Sequence, residues 1–391
     1  MKPEGQDKME SLLTQIKTLA ASADDAGRKK IIQSLQELCY EIEMPQDSMQ
    51  RIIYLNLQLP LIRIGLDLKL FDILGESKDP MTVDQLAVKT GAAPTLLGRI
   101  LRYLASIGTI KETAKDTFAA NNTTQTLTIP GVQSGVYHNF DSLGPAFQAL
   151  PDFLAETNYQ DITDVTNTPL QKAWNTHLPA FLWMQTKPAN HAHFNRFMTA
   201  HHMGMPVWLD VYPIEEKIQN LGGDQPVFVD VGGGVGHQSV LLRERLPLTR
   251  VGNKVILQDL PATLQHAIQH DGVERVAHDF FQPQVVKGAR IYYMRNIIHD
   301  YPDEKAVIIL KNIAAVLGPD SLVLIDDMVL PNLNVHLHAT QLDMTMMTSL
   351  AAMERTTDQW HALIEKADLK INRIYSYTTS LRDSIIECAL A

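Results

Sequence analysis

The chain has 391 residues, 45% of them hydrophobic and 20% charged, with 34 basic against 44 acidic side chains and a net charge of −10. That length predicts two or three domains, each with its own core, and the apolar content excludes a disordered or collagenous chain. No apolar run approaches the roughly 20 residues of a bilayer span, and the opening MKPEGQDKMESLL lacks the basic-then-apolar order of a signal peptide. The acidic balance argues against wrapping phosphate backbones. Cys39 and Cys388 form no disulfide framework and carry no metal-ligand spacing. The expectation is a soluble cytoplasmic enzyme with no metal, nucleic-acid or membrane partner.

Residues 1–45 show helical apolar spacing at Leu12, Leu13, Ile16 and Leu19, then at Ile31, Ile32, Leu35 and Leu38. Such a stripe on a terminal arm packs against the body or a second subunit. Between Ile52 and Leu74, Pro60 and Gly65 interrupt a dense apolar run, which predicts two buried helices. Thr82 and Gln85 form a capping box, Gly91 ends that helix, and Pro94 opens another carrying Leu96, Leu97, Ile100, Leu101 and Leu104. A short strand pair follows around Ile110 and Phe118. Helix, turn, helix and hairpin make a winged-helix pattern. Its second helix offers only Arg99 and Arg102, with Asp84 and Glu112 nearby, so it is underequipped for DNA, and a structural or dimerisation role is expected.

Residues 130–215 read as mostly helical and are rich in rings: Tyr137, His138, Phe140, Trp174, His177, Trp183, His193, Phe194, Phe197, His201, His202 and Trp208. Singly these are core or surface residues; together they suit the wall of a pocket for a flat, largely apolar ligand. From Pro226 the texture changes. VFVDVGGGVG, a strand running into glycines, VILQDLP, RVAHDFF, IYYMRNIIHD and SLVLIDDMVLP read as five strands, separated by the helical stretches SVLLRERLP, TLQHAIQH and EKAVIILKNIAAVLG. That alternation specifies a doubly wound parallel α/β sheet, whose ligands bind beyond the carboxyl ends of the strands.

The strongest single feature follows the first of these strands, Asp230-Val-Gly-Gly-Gly-Val-Gly-His237. Gly232, Gly234 and Gly236 allow a sharp bend and leave space for a ligand. The spacing is G-x-G-x-G rather than the dinucleotide fingerprint G-x-G-x-x-G, and Asp230 would repel a pyrophosphate but suits an ammonium group or ordered water. Asp259 closes the next strand, where it can accept hydrogen bonds from a ribose diol. Asp279 and Phe280, at the exit of the third strand, can meet an adenine amino group and lay a ring on the base.

These motifs resemble the S-adenosylmethionine-dependent O-methyltransferases of the plant caffeate and flavonoid type, in the branch common in fungal secondary metabolism. The resemblance runs over nearly the whole chain: VDVGGGxG at Val229–Gly236, DLP at Asp259–Pro261, the pair Asp279-Phe280, and a basic residue, Arg295, four before a histidine. It implies a Rossmann-like domain binding S-adenosyl-L-methionine, preceded by a mainly helical winged-helix dimerisation domain, and a homodimer that exchanges helices. The expected division is 1–125 for dimerisation, 126–215 for a helical linker and pocket wall, and 216–391 for the cofactor domain. Asp230, Gly232, Gly234, Gly236, Asp259, Asp279, Phe280 and Arg295 are the implied cofactor residues.

His299 lies in HDYPDE, where the family has HDW-x-DE. A histidine beside the sulfonium can take the proton of a phenol as its oxygen attacks the methyl group. Asp327 in IDDMVLP and Glu354 in MERTTDQW match the family's two acidic partners that orient the base, with Asp326 the alternative if the register shifts by one. Two positions depart from the family: Tyr301 replaces the usual tryptophan, and Leu350-Ala-Ala-Met353 replaces a glycine-rich approach to the ERT motif. The expected reaction is O-methylation of a small aromatic or polyketide-derived hydroxyl. Leporin-type members of this branch are pericyclases instead, keeping the cofactor as an electrostatic element. In that alternative Arg295 and a wall histidine, here His138, act on a pyridone-type substrate, with Arg196 a further donor. A catalytically silent dimeric scaffold or winged-helix regulator is the reading from a different class.

Overall fold

Capping decides where the helices of the front half begin and end. In the computed structural model, which describes residues 4–201, 206–219, 221, 225–246 and 254–391, Thr82 accepts from the amide of Gln85 while the Gln85 side chain returns to the amide of Thr82. The helix Val83–Thr90 stops at Gly91, whose φ of +72° suits glycine, and Pro94 opens Pro94–Ser106. Strands β1 (Met81–Thr82), β2 (Lys111–Ala114) and β3 (Thr117–Ala119) form an antiparallel sheet in the order β1-β3-β2. Helix, helix and wing thus stand as expected. Leu70, Phe71, Leu86, Leu97, Leu101, Leu104 and Phe118 pack as their common core.

The expected breaks at Pro60 and Gly65 are corrected. The helix Gln58–Asp67 runs through both, and the chain breaks instead at Tyr54 and at Lys69, a residue with φ +53°. Pro60 lies in the first turn, where its missing N–H is not needed. Gly65 lies where helix meets ring: a Cβ there would come within 2.7 Å of Phe71 Cε2. The terminal helices Glu4–Ser22, Asp25–Ile42 and Pro45–Ile53 leave Leu12, Leu13, Leu19, Leu38, Ile52 and Ile53 exposed.

The contacts divide the chain into two compact units, one of residues up to Phe140 with His193–Ala200, the other of Asp141–Ala192 with the remainder. The second unit is built on strands β4 (Phe228–Val231), β5 (Val255–Asp259), β6 (Val273–Ala277), β7 (Ile291–Arg295), β8 (Leu322–Leu330), β10 (Leu369–Ser376) and β11 (Asp383–Leu390), in the order β10-β11-β8-β7-β4-β5-β6. The five expected strands are parallel neighbours. β11 is antiparallel to β8 and β10 to β11, an edge that the alternation of strand and helix does not announce. A two-residue strand, β9 (Arg355–Thr356), pairs with the far end of β8. The strand order reverses between β4 and β7, which opens a crevice at their carboxyl ends.

One expected helix and one expected strand are shorter in the structure. Of TLQHAIQH, the helix Pro261–Leu264 covers only the first two residues, because the Ile268 amide leaves the local ladder to donate to the Val235 carbonyl in the glycine loop. RVAHDFF is extended only to Ala277, after which the His278 amide turns to the Asp259 carbonyl. His202 lies outside the described residues, as does the side chain of His201. Among the described residues no helix is long and apolar enough to cross a membrane.

Gly65→Ala tests the helix–ring contact. Overpacking Phe71 costs about 1–3 kcal/mol, more than the roughly 1 kcal/mol that alanine adds to a helix. The urea midpoint is expected to fall; an unchanged or higher midpoint would show that the ring yields freely.

Candidate active site

The crevice at the strand-order reversal collects the residues of the glycine motif. Gly232, Gly234 and Gly236 have φ of +70°, +61° and +92°. A Cβ on Gly232 would meet Ile297 Cδ1 at 2.8 Å and Phe280 Cε1 at 3.2 Å, and one on Gly236 would meet Leu257 at 2.8 Å. Above Gly234 a Cβ meets nothing within 4 Å, so the bend is tight underneath and open on the ligand side. The amides of Gly232 and Gly233 donate to the Gln258 carbonyl at 2.9 and 3.1 Å, which ties the bend to the end of β5.

Asp259 accepts from the Gly234 amide at 2.8 Å and from the Leu260 amide at 2.7 Å, one bond to each oxygen. A carboxylate oxygen has two lone pairs, so a fixed Asp259 still has capacity for a diol. Asp230 is buried beneath Gly233 and accepts from the Ser239 hydroxyl at 2.8 Å. Burial, opposed by that hydrogen bond, pushes its carboxyl up to about 7. Asp279 caps its own turn by accepting from the Phe281 amide, and the Phe280 ring stands edge-on to Phe281 and Tyr301. Open space over a positive-φ glycine bend, with carboxylates on successive strand ends and a ring beside them, fits an adenosyl group with a cationic amino-acid tail.

Arg295 ends β7, and its Nη1 lies 3.7 Å from Asp326 Oδ2. The hydroxyls of Tyr293 and Tyr377 donate to the two oxygens of Asp326 at 2.5 and 2.6 Å. Neighbouring residues on a strand point to opposite faces. Asp326 therefore joins the arginine, and Asp327 faces the other way, with neither oxygen hydrogen-bonded among the described residues.

His299 sits on the 3₁₀ turn Ile298–Asp300 that follows β7. Its Nδ1 lies 2.8 Å from Glu354 Oε1, and its Nε2 lies 3.5 Å from Asp300 Oδ1. Burial opposes the charged ring, but the carboxylates of Asp300, Asp327 and Glu354 outweigh it and hold the imidazole up at about 10. Burial in turn pushes Asp327 up to about 8. Glu354 is aimed by its own backbone, whose amide donates to Asp343 Oδ1 at 2.8 Å. Asp343 lies on Leu337–Leu350, and that helix ends at Ala351 with φ +54°, in the stretch where the family has glycine. An alanine in the left-handed region costs about 1–2 kcal/mol, strain held three residues from Glu354. The helices Gly144–Glu156 and Pro169–Trp174 pack against Leu337–Leu350 within this unit, with Trp174 on Trp183.

The sequence reading singled out neither Asp300, Ser239, Asp343 nor Arg355. Asp300 and Arg355 stand beside residues it did choose; Ser239 and Asp343 carry no local signal. In the other unit His138 begins a π-helical turn, His138–Leu143, and packs against Phe194 and Phe197. Its Nδ1 is buried without a partner, and burial, with His193 adding, lowers the ring to about 4. Arg196 is exposed.

A family model described as an O-methyltransferase domain matches residues 159–370, and one described as an O-methyltransferase dimerisation domain matches residues 61–128. The demethylsterigmatocystin 6-O-methyltransferase of Aspergillus parasiticus is 40% identical over 368 residues, covering 93% of both chains. The solved structure of LepI in complex with SAM superposes with a TM-score of 0.89 at 36% identity, over 99% of this chain and 100% of that one. A structure described as a pericyclic reaction enzyme superposes with a TM-score of 0.88 at 36% identity and the same coverage. The chain belongs to the O-methyltransferase family, whose cofactor is S-adenosylmethionine.

Proposed function

We propose that this chain methylates a hydroxyl on a small aromatic or polyketide-derived acceptor, with His299 as the general base. The observation that carries this reading is the 2.8 Å contact between His299 Nδ1 and Glu354 Oε1 in a buried setting at the strand-order reversal. A carboxylate on Nδ1 keeps the hydrogen there in the neutral ring and leaves the Nε2 lone pair for an incoming proton. Asp300 adds negative charge near the imidazolium that results.

In this reading Asp259 holds the ribose, Asp279 and Phe280 the adenine, and the bend at Gly232, Gly234 and Gly236 the amino-acid tail. Asp230 receives its ammonium directly or through water, and Arg295 borders the same crevice. The bound cofactor supplies a methyl group on positively charged sulfur. In the free chain the surrounding carboxylates keep His299 protonated at neutral pH. A second positive charge in the crevice would disfavour the imidazolium and so favour the neutral ring whose Nε2 can accept. Nε2 would then take the proton of the acceptor hydroxyl, whose oxygen would receive the methyl group as the carbon–sulfur bond breaks and the neutral thioether leaves.

A second reading is favoured by the likeness to a pericyclic reaction enzyme. There Arg295 polarises a carbonyl of a pyridone-type substrate, and no methyl group leaves the cofactor. Incubation with methyl-labelled S-adenosylmethionine and aromatic or pyridone candidates separates the two. Label in the product supports methyl transfer; product with the cofactor intact supports the pericyclase. His299→Ala is expected to slow methyl transfer by about 10²–10⁴-fold, and a loss below tenfold would remove His299 from the role of base.

We further propose a homodimer. The exposed apolar face of the terminal helices and the match to a dimerisation domain support it. Sedimentation at micromolar concentration is expected to give a mass about twice 43.8 kDa, and a monomer would refute the assembly.

A further inference from the structure

Glu354 reaches the imidazole of His299, and the next residue reaches the backbone that carries it. Arg355 is fully buried. A guanidinium stays protonated in proteins, so its burial is costly unless its donors are matched. They are matched to one turn. Nη1 donates to the Ile298 carbonyl at 3.1 Å, and Nη2 donates to the Tyr301 carbonyl at 2.9 Å. Nε and Nη2 both donate to Asp303 Oδ1, at 3.1 and 3.0 Å. The two carbonyls flank His299 and Asp300, and Asp303 opens the helix Asp303–Ala314 just beyond.

The clamp has rigid backing. Arg355 lies in β9, in register with Val329 of β8, and its guanidinium carbon lies 5.4 Å from the centroid of the buried Trp360 ring. Trp360 donates from Nε1 to the Met328 carbonyl at 2.8 Å. Lys366 also bonds Asp303, on the oxygen that Arg355 leaves free. A lysine at 355 would keep the charge but lose the planar fork that bridges two carbonyls and a carboxylate.

We propose that Arg355 is a positioning residue for His299: by pinning the carbonyls on either side of it, the guanidinium holds the imidazole against Glu354. The proposal rests on the reading of His299 as base, and it explains why glutamate and arginine stand side by side. The residue that orients the ring comes immediately before β9, and the residue that anchors its backbone is the first of that strand.

The test reads the ring itself. His299 is titrated in the full-length protein through the NMR signals of its ring nitrogens. The groups that act on it are Asp300, Asp327 and Glu354, with Asp343 behind Glu354. In Arg355→Lys the turn loosens and the Glu354 contact lengthens, so proton affinity is expected to fall by about tenfold, one pKa unit. Product formation is expected to fall by up to about 10²-fold from misplacement of the base, with the affinity for S-adenosylhomocysteine unchanged within about twofold. Should Arg355→Lys fail to fold, Asp303→Asn, which removes the counter-charge at the half-exposed end of the clamp, decides in its place through a smaller shift in the same direction. A folded variant whose His299 titrates as in the wild type overturns the proposal and leaves Arg355 a core residue. Failure of the base reading looks different: His299→Ala would keep its activity while the titration still shifted in Arg355→Lys.

Discussion

A single buried imidazole faces three carboxylates, and that charge arrangement constrains everything around it. Glu354 touches Nδ1, Asp300 stands near Nε2, and Asp327 acts through space with no hydrogen bond of its own. Buried charges are tolerated only when compensated. A ring that can carry a proton and carboxylates that can share it are therefore stable together and unstable apart. The same negative surroundings suit a site whose cofactor is a cation: the charge that holds the imidazolium in the free chain can be answered by a positive sulfur when the site is loaded.

The parallel sheet makes this possible. Reversal of strand order between β4 and β7 brings the glycine bend, Arg295 and the His299 turn to one edge, although nearly seventy positions separate Asp230 from His299 in the sequence. The site also concentrates unusual backbone. Asn296 and Ala351 both have positive φ, one just before the His299 turn and the other just before Glu354. Asparagine tolerates that region; alanine pays for it, and such strain persists only where the surrounding packing leaves no alternative.

Much of this was legible in one dimension. Gly232, Gly234 and Gly236 need positive φ, and only glycine adopts it without penalty, so their spacing carries the bend by itself. The Thr82–Gln85 box and the Gly91 stop are similarly local. Pro60 and Gly65 misled because their usual meaning, a break, depends on position: one fell in a first helical turn and the other under the Phe71 ring. The edge strands β10 and β11 escaped notice because they pair by hairpin after a run of alternating strands and helices.

The amino-acid order alone determined the winged front half, the parallel order of five strands, the family and its cofactor, because each rests on short-range spacing or on motifs read in sequence. Only the tertiary structure decided which of two adjacent aspartates turns toward His299, that Asp326 belongs to Arg295 and two tyrosines, and that Arg355 grips the turn from behind. Those choices depend on which face of β8 meets which neighbour and on carbonyls more than fifty positions from the side chain that binds them. Packing settles such partnerships, and no local pattern encodes them.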